Sequence, residues 1–552
     1  MQEVDLLVIG GGIAGAGVAL EAARRGLSVM LVEARDFAWG SSSRSSKLVH
    51  GGLRYLREGA FGLTRESVRE RGRLLHDAPG LVEPQRFLMG HYAGRSPSRR
   101  TMAAGLAVYD AMAGQRTRAF HTPAQLRALA PHLEADGLLG ASSYLDAKTD
   151  DARLVLRVLQ EAEAHGARVV NRAAVTSLLR AGDADMPLSA LAPDGGATVV
   201  PGTVVGARID GAGFTGVVRA RCVVNATGCW ADGVRRGLGA PMLRPLRGSH
   251  LVFPLWKLPV AQSVSLMHPR DGRPVFATPW EGVALVGTTD LDHPDDADVE
   301  PRITPAEVAY LVEAVRAMFP RLDLRASDAV CSYAGVRPVV DDRGAAGDPS
   351  KAPREHVVRD EQGLVTVTGG KLTTFRVNAL DALRHAAPHL AATGPRHGSA
   401  PTAVAGVDAW AAPTPGEFDY RMADPIFAPQ SLPPEAAALP LGLRTRLLGR
   451  HGPRMQALLR EADARDLEVV PGTATPWAEL HWALRHAQVR FLDDLLLRRT
   501  RLGLLLPGGA AALLPRLEPV AREALGWSGG EWRDHCDRYV RLIDQCYTVP
   551  PP

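Results

Sequence analysis

The chain has 552 residues, 46% of them apolar, and its 64 Lys and Arg residues nearly balance its 60 Asp and Glu residues. This length and composition predict roughly two to four domains with a large core, and exclude a disordered chain or a small disulfide-stapled fold. The net charge of +4 excludes a protein that binds nucleic acid over its whole surface. Five scattered cysteines without a CxxC pair predict a reducing compartment with no metal site and no disulfide framework.

The N-terminus does not resemble a secretory signal, because Glu3 and Asp5 stand where such a signal carries basic residues. Every window of about 20 residues contains charged side chains, so we expect no membrane-spanning helix. Lysine is scarce, since only five of the 64 basic residues are lysine. Two of them, Lys47 and Lys371, lie in the glycine- and serine-rich motifs described below. We therefore expect that each of these two positions requires a compact ammonium group, which a guanidinium would not replace.

The first 33 residues predict a strand, a tight turn, a helix and a second strand. The apolar runs 4–9 and 27–32 are typical of parallel strands buried on both faces, and the small residues 16–25 favour a helix. Further strands are predicted at 167–170, 222–225, 283–287 and 364–368, and helices at 151–165 and 304–318. This order indicates a mixed α/β architecture with a sheet assembled from distant segments.

The character of the sequence changes after residue 390. Prolines and glycines concentrate in residues 386–434, which indicates a linker. Residues 439–462, 476–499 and 514–525 then show helical spacing, so the last 115 or so residues are predicted to form a small helical domain.

Gly10, Gly12 and Gly15 form a GxGxxG motif between the first predicted strand and helix. In such a motif the glycines allow a tight turn, close approach to a pyrophosphate and close packing of helix on strand. The helix N-terminus would face the pyrophosphate, and Glu33 would bind the adenosine ribose and disfavour NADP. A glycine-rich turn without a ligand is the alternative. The motif alone leaves FAD and NAD equally open.

The serine-rich segment 41–46 and the residues that follow it, Lys47 to Leu56, favour a flavin. An isoalloxazine ring has to pass small residues on its way into the protein, whereas an NAD enzyme needs no such loop after its second strand. A solvated flexible loop is the alternative reading of the serine run.

Further motifs follow in order along the chain. They are VVNATG at 223–228 with Trp230 close behind, GSH at 248–250, GTTD at 287–290, YAGVRP at 333–338, REH at 354–356, GGKLTTFR at 369–376, and LDD and RRTRLG at 492–494 and 498–503. Together with GGGIAGAG and SSKLVHGGLRYL, they resemble the FAD-dependent glycerol-3-phosphate dehydrogenases, which belong to the D-amino-acid-oxidase-like flavoproteins. The chain departs from this pattern at Cys229, where proline is usual, at Phe375, and in segments 181–216 and 388–434.

The resemblance implies an α/β (α+β) architecture. It comprises a Rossmann-like FAD-binding domain (residues 1–80, 141–235 and 330–390), an antiparallel-sheet substrate domain (81–140 and 236–329), a linker (391–434) and a C-terminal all-α domain (435–552).

The implied reaction is the oxidation of sn-glycerol 3-phosphate to dihydroxyacetone phosphate. Hydride would pass to N5 of a noncovalent FAD, and the electrons would pass to a membrane quinone. The resemblance also implies a cytoplasmic protein attached peripherally to the inner face of the cytoplasmic membrane, and a homodimer is a further expectation. Alternatives are an oxidase that reduces oxygen to hydrogen peroxide, a related flavin oxidase of amino or hydroxy acids, and a flavin-carrying subunit without turnover.

The flavin motifs predict a large set of cofactor-binding residues. These are Gly10, Gly11, Gly12, Ile13, Ala14, Gly15, Glu33, Ala34, Ser42, Ser45, Ser46, Lys47, His50, Gly51, Gly52, Val175, Ala226, Thr227, Gly228, Trp230, Gly335, Gly370, Lys371, Leu372, Thr373 and Thr374.

A substrate dianion calls for several cations, and its oxidation calls for a base. By resemblance, Arg54 with Tyr55, and Arg354, would hold the phosphate, and Arg337 would orient the substrate and stabilise the developing alkoxide. His250 is the candidate general base, since imidazole titrates near neutral pH. Lys371 would add positive charge near the flavin or the substrate, and His50 would lie near the ring in a structural role. No metal is expected.

One stretch predicts contact with a membrane. Arg95, Arg99, Arg100, Arg116 and Arg118 flank the largely apolar residues 102–112, which could lie on an anionic bilayer. An ordinary packed helix with a charged rim is the alternative.

Overall fold

A computed structural model describes residues 1–57, 59–94, 97–183, 200–341, 355–391, 425–428 and 431–551 of the chain. The predicted linker, 391–434, lies mostly outside these described residues. The strands are β1 (Gln2–Ile9), β2 (Val29–Val32), β3 (Leu48–Val49), β4 (Val82–Tyr92), β5 (Ala119–His121), β6 (Leu138–Thr149), β7 (Arg168–Val170), β8 (Ala174–Arg180), β9 (Val204–Asp210), β10 (Gly216–Asn225), β11 (Leu243–Pro254), β12 (Ser263–Met267), β13 (Pro274–Trp280), β14 (Val283–Gly287), β15 (Leu291–Asp292), β16 (Cys331–Val340), β17 (His356–Glu361) and β18 (Leu364–Gly369).

The α-helices of the described residues pack on the two sheets or form the C-terminal region. They are α1 (Ile13–Ala23), α2 (Leu53–Arg57), α3 (Phe61–Asp77), α4 (Arg99–Ala113), α5 (Pro123–Leu129), α6 (Asp151–Ala164), α7 (Ala231–Val234), α8 (Pro305–Met318), α9 (Phe375–Ala391), α10 (Leu441–His451), α11 (Met455–Glu461), α12 (Trp477–His486), α13 (Leu502–Leu505), α14 (Leu514–Leu525) and α15 (Gly529–Leu542). None of the described helices is both long and apolar enough to cross a bilayer.

The first sheet has the strand order β17-β18-β10-β1-β2-β7, in which β18, β10, β1, β2 and β7 are parallel. Helices α1, α6 and α9 pack on one face of it. Of these, α1 and α6 lie in the connections from β1 to β2 and from β2 to β7, and α9 follows the last strand. Strands β8 and β9 form an antiparallel extension on β10. The βαβ start predicted from the sequence is therefore present.

The second sheet has the order β15-β11-β14-β13-β12-β4-β6-β3, with β16 paired to β11 and β5 to β6. Its pairs are antiparallel except β12 with β4. Helix α8 covers one face, and its first turn is capped by Thr304 and Glu307, each accepting a backbone N–H of the other. The opposite face looks toward the carboxyl ends of the parallel strands.

The C-terminal region is helical, with one isolated bridge between Val469 and Pro476. It packs on the second sheet around Trp280 and Tyr333. It also reaches the first sheet through buried arginines. Asp36, just after β2, accepts hydrogen bonds from Arg498 Nε (2.5 Å) and Arg499 Nη2 (2.7 Å). Buried charges of this kind are stable only when they are paired, so these contacts fix the C-terminal region against the nucleotide-binding sheet.

This architecture confirms the predicted fold class: an α/β nucleotide-binding unit, an antiparallel-sheet unit and a C-terminal helical unit. Three strands differ from the predicted segment boundaries. Strands β3, β6 and β16 pair in the second sheet, whereas segments 1–80, 141–235 and 330–390 would assign them to the FAD-binding domain. The reason is antiparallel pairing between distant segments, β3 with β6, β6 with β4 and β16 with β11, which local sequence does not reveal.

Candidate active site

A cavity of about 1040 Å³ lies between the carboxyl ends of the parallel strands and the inner face of the second sheet. Open α/β sheets bind ligands at this position. The volume lies at the upper end of the roughly 300–1,000 Å³ range of ligand pockets. Most of the predicted site residues line it: Gly10, Gly12, Ile13, Ala14, Glu33, Ala34, Ser42, Ser45, Ser46, His50, Gly52, Tyr55, Val175, Ala226, Thr227, Gly228, Trp230, Gly335, Arg337, Gly370, Lys371, Leu372 and Thr373.

The glycine-rich turn after β1 leaves no room for side chains. Gly10 has φ +112°, and a Cβ there would lie 2.6 Å from the carbonyl oxygen of Ala226. A Cβ on Gly15 would lie 2.0 Å from the carbonyl oxygen of Gly10. The backbone N–H of Ile13, in the first turn of α1, donates to Ser42 Oγ at 3.0 Å. The helix N-terminus therefore opens into the cavity beside a hydroxyl, a suitable setting for a pyrophosphate.

Glu33 closes the same end of the cavity. Its carboxylate accepts backbone N–H groups from Gly11 (2.7 Å) and Arg35 (2.8 Å), which fix its orientation. Burial raises the pKa of Glu33, and these two hydrogen bonds oppose the shift. A carboxylate held in this way at the end of the second parallel strand suits the hydroxyls of an adenosine ribose.

The other end of the cavity is lined by the turn that precedes α9. Gly369 and Gly370 have φ of +76° and +74°, a conformation that favours glycine, and a short 3-10 turn at Leu372–Thr374 leads into the helix. The backbone N–H of His50 donates to Thr373 Oγ1 at 3.1 Å, so the two predicted flavin segments are joined. The carboxylate of Glu33, the helix N-terminus that opens into the cavity and the glycine-containing turn at the far end together fit FAD.

Four predicted cofactor residues support the wall from behind rather than line it: Gly11, Gly15, Gly51 and Thr374. Gly51, for example, donates its N–H to Asp146 Oδ1 at 3.1 Å. Their contribution is packing and backbone position.

Lys47 was predicted to bind the cofactor, but it does not line the cavity, and its side chain points into the protein. The fully buried ammonium lies 2.9 Å from Asp151 Oδ2 and donates to the carbonyl oxygen of Ser43 at 2.5 Å. Burial lowers the pKa of Lys47 to about 7. Asp151 also accepts from the hydroxyl and N–H of Ser45. The lysine therefore holds the serine loop in shape from within the protein.

Arg337 faces the cavity on β16 and is fixed by the GTTD segment. Its Nη1 donates to Asp290 Oδ1 at 2.9 Å, and its Nη2 donates to Thr288 Oγ1 at 3.1 Å. A Cβ on Gly248, on the neighbouring strand β11, would lie 2.2 Å from Nη2. The glycine of the GSH motif thus makes the space that the guanidinium occupies. Asp290 and Thr288 are site residues to which the sequence motif gave no role.

His250 does not line the cavity, although it was predicted to act directly on the substrate. Its imidazole is buried, stacks on Tyr333 with centroids 4.7 Å apart, and lies 2.9 Å from Ser46 Oγ through Nε2. Burial, followed by the positive charges of Arg337 and Lys47, holds the pKa of His250 well below its usual range. The neutral imidazole therefore reaches the cavity through the hydroxyl of Ser46.

Lys371 and Tyr55 form a second polar pair on the wall. The ammonium donates to Ser67 Oγ and lies 4.3 Å from the centroid of the Tyr55 ring. Burial lowers the pKa of Lys371 to about 8, with the carboxylates of Glu66, Asp146 and Glu355 opposing the shift. Arg54 belongs to α2, but its side chain lies outside what the structure describes, as does the whole of Arg354.

Helix α4 is packed against the protein on one face and exposed on the other, so the predicted packed helix is found on one face only. Met102, Leu106 and Tyr109 are buried, and Arg118 pairs with Asp110 at 2.9 Å. The opposite face is exposed and carries small apolar residues: Ala103, Ala104, Val108 and Ala111. Arg95 lies outside the described residues.

Comparison with known proteins agrees with this geometry. The family described as FAD dependent oxidoreductase matches residues 5–376, and the family described as the C-terminal domain of alpha-glycerophosphate oxidase matches residues 427–531. The aerobic glycerol-3-phosphate dehydrogenase of Staphylococcus saprophyticus is 38% identical over 387 residues, which cover 69% of this chain and 66% of that protein. The corresponding enzyme of Staphylococcus aureus is 36% identical over the same extent. The match thus spans slightly less than two thirds of the length of these relatives.

Two solved structures share the fold. The glycerol-3-phosphate dehydrogenase of Bacillus halodurans, complexed with FAD, superposes with a TM-score of 0.68 at 26% identity and covers 100% of this chain and 96% of its own. The L-alpha-glycerophosphate oxidase of Mycoplasma pneumoniae superposes with a TM-score of 0.54 at 19% identity, covering 70% and 95%, which shows the fold alone. The resemblance and the FAD cofactor predicted from the sequence are confirmed; noncovalent attachment stays a prediction. The chain belongs to the family of FAD-dependent oxidoreductases.

Proposed function

We propose that this chain oxidises sn-glycerol 3-phosphate to dihydroxyacetone phosphate. The observation that carries the proposal is that Arg337 and Lys371 are among the cations that line one dinucleotide-sized cavity. A flavin oxidase of amino or hydroxy acids needs one anion-binding arginine, whereas a phosphate ester with nearly two negative charges calls for more. The names of the curated relatives support the same substrate.

Bound FAD supplies an acceptor for the hydride that leaves C2 of the substrate. The protein supplies the rest. Arg337, fixed by Asp290 and Thr288, orients the substrate and stabilises negative charge on the C2 oxygen. Lys371 is largely protonated at pH 7, because its pKa of about 8 lies above that pH, and it adds a second positive charge. By resemblance, Arg54 and Arg354 complete the phosphate site.

The proton of the substrate hydroxyl needs an acceptor. We assign this acceptor role to Ser46 and His250 acting together. Ser46 lines the cavity, and its hydroxyl lies 2.9 Å from Nε2 of the neutral imidazole. Ser46 passes its own proton to His250 as it takes one from the substrate. The substrate then loses a hydride and a proton, which together are two electrons and two protons.

We further propose a membrane quinone as the electron acceptor and the inner face of the cytoplasmic membrane as the place of attachment. The exposed small apolar face of α4, with Arg99, Arg100 and Arg116 at its ends, supports a peripheral contact with anionic lipid. Oxygen, with release of hydrogen peroxide, is the alternative acceptor. The expected homodimer stays a prediction.

The decisive experiment is anaerobic mixing of the yellow holoenzyme with sn-glycerol 3-phosphate in a stopped-flow instrument. We expect the flavin absorbance near 450 nm to bleach, and to return on addition of a short-chain ubiquinone. D-Alanine and L-lactate serve as control substrates and should leave the absorbance unchanged. An enzyme that keeps its colour with glycerol 3-phosphate would contradict the proposed substrate. Rapid return in air, but not with quinone, would assign the acceptor to oxygen.

A further inference from the structure

The proposed reaction leaves the RRTRLG motif at residues 498–503 without a role. The motif lies in the C-terminal helical unit and runs into helix α13. Its first two arginines, Arg498 and Arg499, pair with Asp36 and so fix the unit against the nucleotide-binding sheet. Arg501 is also buried, with 1% of its surface exposed, but it contacts a different segment of the chain. It therefore needs an explanation of its own.

The backbone of Arg501 is strained. Its φ of +65° lies in the left-handed region, which a residue with a side chain adopts at an energetic cost. The guanidinium is fixed to its own segment, because Nη1 donates to the carbonyl oxygen of Leu497 at 2.8 Å. In this conformation Nη2 reaches the carbonyl oxygen of Ser43 at 2.7 Å. Strain of this kind persists where surrounding contacts hold it, and it is frequent at functional sites.

Arg501 contacts the serine loop, residues 41–46, at the one residue of that loop that does not line the cavity. That residue is Ser43, whose carbonyl oxygen accepts from Lys47 Nζ at 2.5 Å as well as from Arg501. The two cations come from distant parts of the chain, since Arg501 lies 458 residues beyond Ser43. Charge-assisted hydrogen bonds are short and strong, so a carbonyl bound by two buried cations has a fixed position.

Two buried aspartates at the start of helix α6 balance these cations. Asp151 Oδ2 lies 2.9 Å from Lys47 Nζ, and Asp151 Oδ1 lies 3.3 Å from Arg501 Nη2. Asp150, the N-cap of α6, lies 3.6 Å from Arg501 Nε. Buried charges need such partners. Arg501 is therefore tied at the same time to α6 and to the loop that lines the cavity.

The neighbours of Ser43 carry two hydroxyls that the active site uses. Ser42 Oγ accepts the N–H of Ile13, in the first turn of α1, at 3.0 Å. Ser46 Oγ lies 2.9 Å from Nε2 of His250. Both serines line the cavity and lie within three residues of Ser43. A shift of the Ser43 carbonyl would therefore move both hydroxyls.

We propose that Arg501 is a positioning residue of the active site. By holding the carbonyl of Ser43, it places the hydroxyl of Ser42 at the N-terminus of α1 and the hydroxyl of Ser46 at His250. The C-terminal helical unit thus completes the site, although none of its residues in the described range 431–551 lines the cavity. The effect through Ser46 rests on the proposed function, whereas the effect through Ser42 concerns FAD alone.

Two variants test this role, each with a matched control. Arg501→Met removes the guanidinium. Arg501→Lys keeps a positive charge beside the aspartates, but its single nitrogen cannot occupy both the Nη1 and the Nη2 position, and it carries the test if Arg501→Met does not fold. Arg446→Met and Arg446→Lys are the controls, because Arg446 is a buried arginine of the same unit. None of its hydrogen-bonding partners lines the cavity: Glu281, Glu479 and Thr475.

The first readout is the release of FAD from the holoenzyme, which needs no substrate. The holoenzyme is diluted, and free FAD is followed by the rise of its fluorescence, with the thermal midpoint recorded for each variant. We expect both Arg501 variants to release FAD about tenfold faster, the equivalent of one lost hydrogen bond to a charged group. The Arg446 variants should release it at the wild-type rate, even where their thermal midpoint falls. Equal acceleration in the two pairs would overturn the inference, because it would show a general loosening of the protein.

The second readout is the rate of flavin bleaching by saturating glycerol 3-phosphate, with FAD in excess. We expect both Arg501 variants to bleach about 10²-fold more slowly, the effect of misplacing a catalytic group by about 1 Å, with KM little changed. Arg501→Lys combined with Ser46→Ala should be no slower than the slower single variant, because Arg501 acts through Ser46. The Arg446 variants should bleach at the wild-type rate. A double variant in which the two losses multiply would overturn the effect through Ser46.

Failure of the proposed function gives a different result. If the wild-type enzyme does not bleach with glycerol 3-phosphate, the proposed substrate is wrong, and FAD release alone decides the role of Arg501. If the wild-type enzyme bleaches and the Arg501 variants match it in both readouts, the positioning role is wrong and the proposed substrate stands. Fast FAD release together with wild-type bleaching would reject the effect through Ser46 and keep the effect through Ser42.

Discussion

The hydroxyl of Ser46 lies 2.9 Å from Nε2 of His250, and of these two residues only Ser46 lines the cavity. The imidazole is thus held one hydroxyl behind the wall, where burial keeps the pKa of His250 well below its usual range. This relationship is the basis of the proposed relay from Ser46 to His250, which has consequences for mutants and for the pH dependence of the rate.

Ser46→Ala and His250→Asn should each slow anaerobic flavin reduction by about 10²–10⁴-fold, the usual contribution of a general base. Because the two residues act as one unit, the double variant should be no slower than the worse single variant. The measurement is the bleaching rate at saturating glycerol 3-phosphate. Losses that multiply in the double variant would show that the residues act independently.

The pH dependence of the same step follows from the direction of the pKa shift. His250 accepts a proton only when neutral, and its depressed pKa keeps it neutral at and below pH 6.5. The rate of flavin reduction should therefore show no loss due to this group between pH 8 and pH 6.5, and should fall only at more acidic pH. An acidic limb centred at or above pH 6.5 would contradict the relay.

The lowered pKa of Lys371 predicts that flavin reduction weakens at alkaline pH. Burial lowers its pKa to about 8, so the ammonium is present below that pH and is lost as the pH rises through it. Flavin reduction by glycerol 3-phosphate should weaken above pH 8, mainly through a higher KM. Lys371→Arg, whose guanidinium stays charged, should move this limb to higher pH, and Lys371→Gln should abolish it at a lower overall rate. A limb that is unchanged in both variants would assign it to another group.

Asp290→Asn tests how Arg337 is held. The change removes the charge that pairs with the guanidinium at 2.9 Å, so Arg337 loses its fixed orientation toward the substrate. We expect kcat/KM for glycerol 3-phosphate to fall by about 10–100-fold, comparable to the loss of a charge-assisted hydrogen bond. Asp292→Asn is the matched control, since Asp292 pairs with Arg244 near the surface. Equal effects of the two variants would point to a general loss of stability.

Asp151→Asn tests the structural role assigned to Lys47. The variant removes the buried carboxylate that pairs with both Lys47 and Arg501, and breaking such a buried pair should cost about 3–5 kcal/mol of unfolding free energy. The thermal midpoint and the affinity for FAD should both fall, because Asp151 also holds Ser45. Lys148→Gln breaks a more exposed pair with Glu83, at 3.7 Å, and should change stability by about 1 kcal/mol or less. If the Asp151→Asn protein were as stable as the wild type, the structural role assigned to Lys47 would be wrong.

Local patterns identified much of the nucleotide-binding unit. The strand-turn-helix start and the acid at the end of β2 depend on residues that lie close together in the chain, where sequence and structure are tightly linked. The same holds for Gly10 and Gly15, whose positions tolerate no Cβ. A helix predicted over 439–462 is instead two helices, α10 and α11, because Gly452 and Pro453 interrupt it.

Contacts between distant segments explain where these patterns misled. Lys47 was expected near the flavin because it lies in a flavin motif, yet Asp151, 104 residues away, draws its ammonium inward. His250 was expected on the wall, but β14 offers it a space at Gly287, and Ser46 stands in front of it. The anchoring of Arg337 by Asp290 joins β16 to the segment between β14 and β15, 47 residues away in the chain.

The sequence by itself determined the family, the FAD cofactor and the fold class, because short motifs with strict steric needs carry that information. Only the tertiary structure decided which motif residues face the cavity and which act from behind it. The physical reason is that side-chain direction in a buried site is set by charge pairing and packing across strands. Those partners come together only when the chain has folded.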